Sequence, residues 1–300
     1  MDRILRCITS DGSVMALAID STDLVYTAQR VHKTSPTATA ALGRLLTASS
    51  VMGAQLKQRG ASITLKINGG GPIGTVVAVA DSSGNCKGYA ENPQADLPKK
   101  PSGKLDVSGL IGSDGLLCVI RDYGAGEPYV GQVPIVSGEI AEDITSYYGV
   151  SEQIPSVCAL GVLVDKETGE VLLSGGLLIQ LLPAAGEETV CRLEENIRAL
   201  EPVTTMLAKG IGIEEMCKKA LDGFEVEVLD EFSVHYACNC SKERVKNAIR
   251  LLSNEEILSL PDEKGYAEAN CQFCGKSYQV SREELEKMVE EKIKKTEIKC

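Results

Sequence analysis

The sequence predicts an α+β protein in three parts. These are a mixed α/β core domain over residues 1–183, a helical linker over 184–230 and a small cysteine-bearing unit over 231–300. Three observations lead there. In the first 180 residues β-rich runs outnumber helical ones and show no regular strand–helix–strand repeat, so a doubly wound parallel sheet fits less well. After Pro183-Ala-Ala-Gly the strands give way to short amphipathic segments. The last 70 residues hold only 15 Leu, Ile, Val or Phe but five of the eleven cysteines, four of them in two tight pairs.

In chain order, Ser35 and Pro36 supply an N-cap and a first helical residue. A long helix should follow, with Leu42, Leu45, Leu46, Val51 and Met52 toward the core, ending near Gly60. ASITLKIN and TVVAVAD are β-rich runs joined by GGGPIG. Further strands are expected at LLCVIRD, PYVGQVPIV and the pair ALGVLVD/GEVLLSGGLLIQLL, with a turn at Lys166–Gly169. A short helix is expected from Ser137 in SGEIAEDITSYYG. The linker carries EETVCRLEENIRAL, with Val190, Leu193 and Ile197 on one face, then VTTMLAKG and IEEMCKKALDG. Helices this short are marginal alone and need a surface for their apolar stripes. In the last unit SKERVKNAIRLL and NEEILSL read as helices, CQFCGKSYQV as a turn and strand, and Ser281 with Glu284 as the capping box of a final helix through Lys294.

Composition narrows the function. At 43% hydrophobic and 24% charged, 300 residues can bury a sizeable core. No apolar run approaches the roughly 18–20 residues that span a bilayer. The start, MDRILRCITSDGSV, lacks the apolar block of a secretory signal, so a soluble cytosolic protein without a membrane partner is expected. A net charge of −11 and a pI near 4.9, with no Trp and three Phe, argue against nucleic-acid binding. Gly69-Gly-Gly-Pro-Ile-Gly74 matches G-x-G-x-x-G formally. A β-branched run follows it where the dinucleotide fingerprint needs a helix, so it reads as a hairpin loop. No glycine run leads to a G-K-[ST], so ATP has no seat. Glu139, Glu142 and Asp143 read as complements to a helix N-terminus, and His32 as a surface or capping residue. No hydrolase constellation emerges, and a non-enzyme is expected.

The cysteines carry the chemistry. An odd number in a chain without an export signal is a poor disulfide framework. Cys7, Cys86, Cys118, Cys158, Cys191, Cys217 and Cys300 stand singly, and those in apolar runs, such as Cys118, read as small buried hydrophobes. Cys238/Cys240 and Cys271/Cys274 form two clamps, C-N-C and C-Q-F-C, thirty residues apart. Four thiolates in two short clamps suit one structural Zn²⁺, tetrahedral at about 2.3 Å. His235, three residues before Cys238, is a lesser alternative ligand. Such ligands hold their sulfurs roughly 3.7 Å apart, whereas a disulfide brings two sulfurs to about 2.05 Å. Metal and disulfides therefore exclude one another. Pairing within each clamp, Cys238–Cys240 and Cys271–Cys274, is the sequence-local option, and such small rings constrain the unfolded chain little. A structural zinc, worth on the order of 10–16 kcal/mol in small modules, would instead tie the whole unit together. Oxidation should then unfold it, and zinc release followed with circular dichroism under peroxide tests this.

FSVHYACNCSKERV, the thirty-residue gap and CQFCGKSYQVS resemble the zinc module of the redox-regulated holdases, the 33 kDa chaperonin family. PTATAALGRLLTASSVMGAQLK, INGGGPIGTVVAVAD, PIVSGEIAEDITSYY with SEQIPS, and GGLLIQLLPAAG resemble that family's core domain. The resemblance implies an ATP-independent cytosolic chaperone, inactive when reduced and zinc-bound. It implies that oxidation forms two disulfides among Cys238, Cys240, Cys271 and Cys274, ejects zinc, unfolds switch and linker, and exposes surface that holds unfolding clients. Dimerisation on activation is a further implication. Cys191 and Cys217 in the linker leave additional disulfides open. The rival readings are a zinc-ribbon nucleic-acid module, set against by the near-neutral last unit (12 Lys+Arg, 13 Asp+Glu), and a C-x-x-C thiol oxidoreductase, set against by the strand expected after the clamp.

Overall fold

The computed structural model describes residues 1–297. Three elements without a strong sequence signal open the chain: strands β1 (Arg3–Thr9) and β2 (Val14–Asp20) and helix α1 (Thr22–His32). The strands escape a period-two reading because both faces are buried: Ile4, Leu17 and Ile19 enter one apolar cluster while Leu5, Cys7, Ala16 and Ala18 enter another. The Asp2 carboxylate accepts the Asp23 and Leu24 amides and so caps α1, leaving Ser21 free to join Thr47 and Ser174 in a buried hydroxyl group.

Helix α2 (Pro36–Ala54) follows, with Ser35 Oγ accepting the Ala38 amide as predicted. Its buried face is wider than the expected leucine stripe. Thr37 through Ala54 are buried except Arg44, because the helix runs between two five-stranded antiparallel sheets. The second of these is built from β3 (Ser62–Asn68), β4 (Val76–Asp81), β5 (Cys86–Ala90), β6 (Leu116–Asp122) and β7 (Tyr129–Pro134), in the order β5-β4-β3-β6-β7. The first adds β8 (Ser156–Val164), β9 (Val171–Leu181) and β10 (Val226–Ser233) in the order β10-β1-β2-β9-β8. A short helix α3 (Val107–Ile111) lies between β5 and β6 in sequence.

The GGGPIG segment is the hairpin loop between β3 and β4, as its flanks predict. Its glycines serve backbone contact. A Cβ on Gly69 would sit 2.2 Å from the Gly112 carbonyl, and one on Gly71 2.3 Å from that of Leu110. The space a phosphate would need is filled by the end of α3.

The helix expected from Ser137 begins later, as α4 (Ala141–Tyr147), and continues into a π-helical turn over Tyr148–Glu152. Asp143, not Ser137, takes the capping role. Glu139 sits in a charge cluster, accepting Arg44 Nη1 at 2.6 Å and Lys100 Nζ at 2.7 Å. Burial raises the Glu139 carboxyl, but the hydrogen bonds from Lys100 and Arg44 outweigh it and hold the group below its ordinary value of 4.5. The depressed pKa makes its stabilisation fully present above the unfolded value and lost as pH falls through the folded one. Glu139→Gln should therefore cost about 2 kcal/mol near neutrality, with the gap to wild type closing in urea titrations below pH 4.5. A gap independent of pH would refute the ion-pair account.

Helices α5 (Glu187–Ala199), α6 (Val203–Ala208) and α7 (Ile213–Ala220) occupy the stretch expected to be helical. Their apolar stripes find the surface they need on the first sheet: Leu193, Val203, Met206, Ile213 and Met216 pack in one cluster with Leu5, Val14, Leu177 and Ile179. The purely helical reading of 184–230 misses β10, which starts at Val226 and pairs antiparallel with β1. Arg6 pairs with Asp230, and Arg3 Nη1 with Glu231 at 2.8 Å, across that edge. Beyond it the backbone bridges β5 at Cys86 and Tyr236, and Tyr236 Oη donates to the Gly88 carbonyl at 2.9 Å.

By backbone contacts the chain forms two units, Met1–Ala237 and Cys238 onward. The second contains α8 (Lys242–Ile249), α9 (Asn254–Ser259), the hairpin of β11 (Tyr266–Asn270) and β12 (Ser277–Ser281), and α10 (Arg282–Glu297). Ser281 and Glu284 exchange both capping-box hydrogen bonds. Strand β11 was not expected from YAEAN, whose period is weak.

Candidate metal centre

Cys238 and Cys240 lie in irregular backbone just before Ser241, whose Oγ caps α8 by accepting the Arg244 amide. Cys271 and Cys274 occupy the loop of the β11–β12 hairpin. There the Cys271 carbonyl accepts the Gly275 amide at 2.8 Å and the Cys271 amide donates to Lys276 O at 2.9 Å. Gly275 takes φ +70°, the left-handed conformation that turns the chain back and that a side chain would strain. Two tight turns thus aim two thiols each at one point.

The four sulfurs lie within 4.8 Å of one another, and among the described residues they are the group able to hold a metal ion. The close pairs run between clamps, Cys238 to Cys271 at 3.7 Å and Cys240 to Cys274 at 3.3 Å. The first matches the roughly 3.7 Å of tetrahedral thiolates on a 2.3 Å metal. Four half-buried soft donors with no carboxylate among them are a donor set compatible with zinc. His235 is not a member; its imidazole is exposed and its carbonyl accepts the Cys86 amide at 3.2 Å.

Sequence reasoning missed Tyr278. Its Oη lies 3.0 Å from Cys240 Sγ, because β12 carries it back from the hairpin loop toward the clamps. Its only signal was an aromatic four residues after the second clamp. Burial raises the Cys240 thiol, but hydrogen bonding by Tyr278 and the neighbouring cysteines outweighs it and brings the group to about 7. Burial, with hydrogen bonds made to the other sulfurs, pushes Cys274 up to about 12. Within the cluster, Cys240 is the sulfur that takes negative charge most readily.

The other singled-out residues lie elsewhere. His32 ends α1, with Nε2 3.1 Å from Tyr236 Oη. Cys7, Cys86 and Cys217 are buried, Cys118 and Cys158 are only half-buried on their strands, and Cys191 is exposed on α5. Cys118 alternates onto the partly open face of β6, which its apolar run did not reveal. Cys300 lies outside the described residues. The C-Q-F-C clamp leads into a strand, not a helix, unlike the redox motif it mimics. Among the described residues no helix is long and apolar enough to cross a membrane.

Comparison with known proteins agrees with this architecture. Residues 2–281 match the family model described as "Hsp33 protein". The "33 kDa chaperonin" of Clostridioides difficile (strain 630) is 46% identical over 290 residues, 97% of this chain and 99% of that one. The "33 kDa chaperonin" of Acetivibrio thermocellus is also 46% identical, over 96% of this chain and 97% of its own. The crystal structure of the Thermotoga maritima 33 kDa chaperonin superimposes with a TM-score of 0.87 at 34% identity, covering 97% of this chain and 99% of that chain. With the family matched over residues 2–281 and the fold shared over 97% of its length, this chain belongs to the Hsp33 family.

Proposed function

We propose that this chain is a redox-regulated, ATP-independent holding chaperone, inactive while its four clamp thiolates share one zinc ion and activated when oxidation converts them to two disulfides. The observation that carries the reading is the four-sulfur cluster, all ligand atoms within 4.8 Å, in a unit whose described apolar core is seven residues. When bound, zinc supplies the cross-link between the two ends of that unit and keeps the thiols as thiolates.

Cys240, half-buried beside the Tyr278 hydroxyl, is proposed as the first nucleophile toward a peroxide. In each clamp the two thiolates give up two electrons, one peroxide takes them up together with two protons from solvent and leaves as two waters, and one S–S bond forms. Pairing is proposed within the clamps, Cys238–Cys240 and Cys271–Cys274. The cluster brings every sulfur within reach of the others, but as the unit opens only clamp partners stay neighbours along the chain. With the thiolates consumed, the cross-link has no donors. The thin core of the unit cannot hold it folded, and its apolar side chains become available to non-native proteins. Helices α5–α7, short and dependent on the first sheet for their apolar stripes, are the next elements able to detach. Clients are unfolded or partly unfolded proteins, the oxidised form acts as a homodimer in the cytoplasm, and neither nucleic acid nor membrane takes part. The chain needs no catalytic residue for this work.

The test is light scattering of a thermolabile client on heating, with reduced and peroxide-treated protein and zinc followed by a colorimetric chelator. The oxidised form should suppress aggregation at near-equimolar ratio while the reduced form does not. Equal protection by both forms would refute redox control.

A further inference from the structure

A second pair of thiols shares one buried cluster in the first unit, in the apolar layer between the first sheet and its helical cover. Cys7 lies on β1 and Cys217 on α7, each 1% exposed and both in the same buried cluster. Strand alternation puts Leu5 and Cys7 on the helix-facing side of β1, and Ile213, Met216, Cys217 and Ala220 form the opposing stripe of α7. The small Ala16 stands beside Cys7 on β2. Helix α7 packs against both β1 and β2 at this point.

We infer that Cys7 and Cys217 form a second, slower dithiol–disulfide pair that staples α7 to β1 under peroxide. With Cys217 on the moving helix as the resolving thiol, Cys7, ionised once α7 lifts to admit water, is the attacking sulfur. It attacks one oxygen of hydrogen peroxide, the O–O bond breaks, and the departing hydroxide takes a proton to leave as water. Cys217, having lost its proton, then attacks the sulfenic sulfur of Cys7. The S–S bond forms, the S–O bond breaks, and a second water leaves. Two thiols are oxidised by two electrons and one peroxide is reduced.

Burial sets the rate. The clamp thiols are half-buried, whereas peroxide reaches Cys7 only when α7 lifts locally, so the staple should form at least ~10-fold more slowly than the clamp disulfides. The bond closes a loop from residue 7 to residue 217, which restricts the unfolded chain strongly and should raise the melting temperature of the Met1–Ala237 unit by several degrees. Its consequence for clients rests on the redox-switch reading above: a stapled α7 stays on the sheet, so prolonged oxidation limits how much of the helical cover can come away. The cross-link itself does not depend on that reading.

The experiment oxidises the full chain with hydrogen peroxide over a range of temperatures up to just below melting, blocks remaining thiols with N-ethylmaleimide, and maps disulfides by non-reducing peptide mass spectrometry. A cross-linked peptide pair containing Cys7 and Cys217, appearing after the clamp disulfides, is expected. Cys217→Ala should abolish that pair and the rise in melting temperature while leaving clamp oxidation unchanged. Cys7 and Cys217 recovered as free thiols at every temperature, or joined to other cysteines, would overturn the inference. The wild-type map needs no variant to fold. Client light scattering on the same samples reports separately on the switch, so a missing staple with intact protection and a staple without protection are distinct results.

Discussion

Chelating the metal from the reduced protein should unfold the unit from Cys238 onward while Met1–Ala237 stays folded. The described core of that unit consists of Ile249, Ile257, Ala267, Val280, Leu285, Met288 and Val289. Around it stand two short helices, α8 and α9, a two-stranded hairpin and α10. A lone hairpin and helices of six and eight residues are each marginal in water. The remaining support is electrostatic and at most half-buried, such as Glu284 bridging Lys242 and Lys246, and is worth little beside a metal. A structural zinc in a module of this size is worth on the order of 10–16 kcal/mol, more than the rest of the unit can supply. Met1–Ala237 holds two five-stranded sheets around a buried helix and draws nothing from the clamps for that core. Far-UV circular dichroism should lose a fraction matching the second unit, and limited proteolysis should cut after residue 237 and spare what precedes it. Cys271→Ser, which removes one of four donors, should move the protein the same way at low zinc. Unchanged dichroism and unchanged cleavage after complete metal removal would show that the sulfur cluster is not what holds this unit.

What could be read in advance divides by the range of the interactions involved. Helix α2 was legible because Ser35 and Pro36 mark its start locally, and β3 and β4 because alternation and a glycine loop frame them. The four clamp cysteines were legible for the same reason, since a tight turn presenting two thiols is a property of three or four consecutive residues. The misses are long-range. Burial on both faces erased the alternation of β1 and β2. The edge strand β10 was masked by acidic residues whose partners, Arg3 and Arg6, lie more than 220 positions away. Tyr278 reaches Cys240 only through hairpin register. Cys7 and Cys217 are brought together by packing a helix from the late part of the chain onto its first strand. The width of the buried face of α2 belongs here too, because nothing in its small-residue composition announces a second sheet on its far side.

Asp143→Ala should be among the most destabilising single changes in the first unit. The carboxylate is fully buried. Its Oδ1 accepts the amides of Val136 at 2.8 Å and Ser137 at 3.1 Å, with Gly138 at 3.4 Å, and its Oδ2 accepts the Ile140 amide at 2.8 Å. Ile140 itself takes φ +71°, a conformation that a β-branched residue adopts only when its surroundings impose it. The side chain therefore does what four separate backbone partners would otherwise have to do, and it fixes the bend that carries the chain from β7 into α4. Truncation strands several buried N–H donors and releases the restraint on Ile140 together. Each lost donor of this kind costs about 1–3 kcal/mol and the losses are not additive, so a drop of roughly 3–5 kcal/mol in urea unfolding is expected. Asp143→Asn discriminates the cause. It keeps the volume and the Oδ1 acceptor but turns an NH₂ toward the Ile140 amide, so it should recover part of the loss and no more. If Asn restored full stability, packing volume rather than amide capture would be the role of this residue. A loss under about 1 kcal/mol for Ala would mean that the backbone of the bend finds other partners, and the helix start would then owe its position to the burial of Ile140 and Ile144 alone.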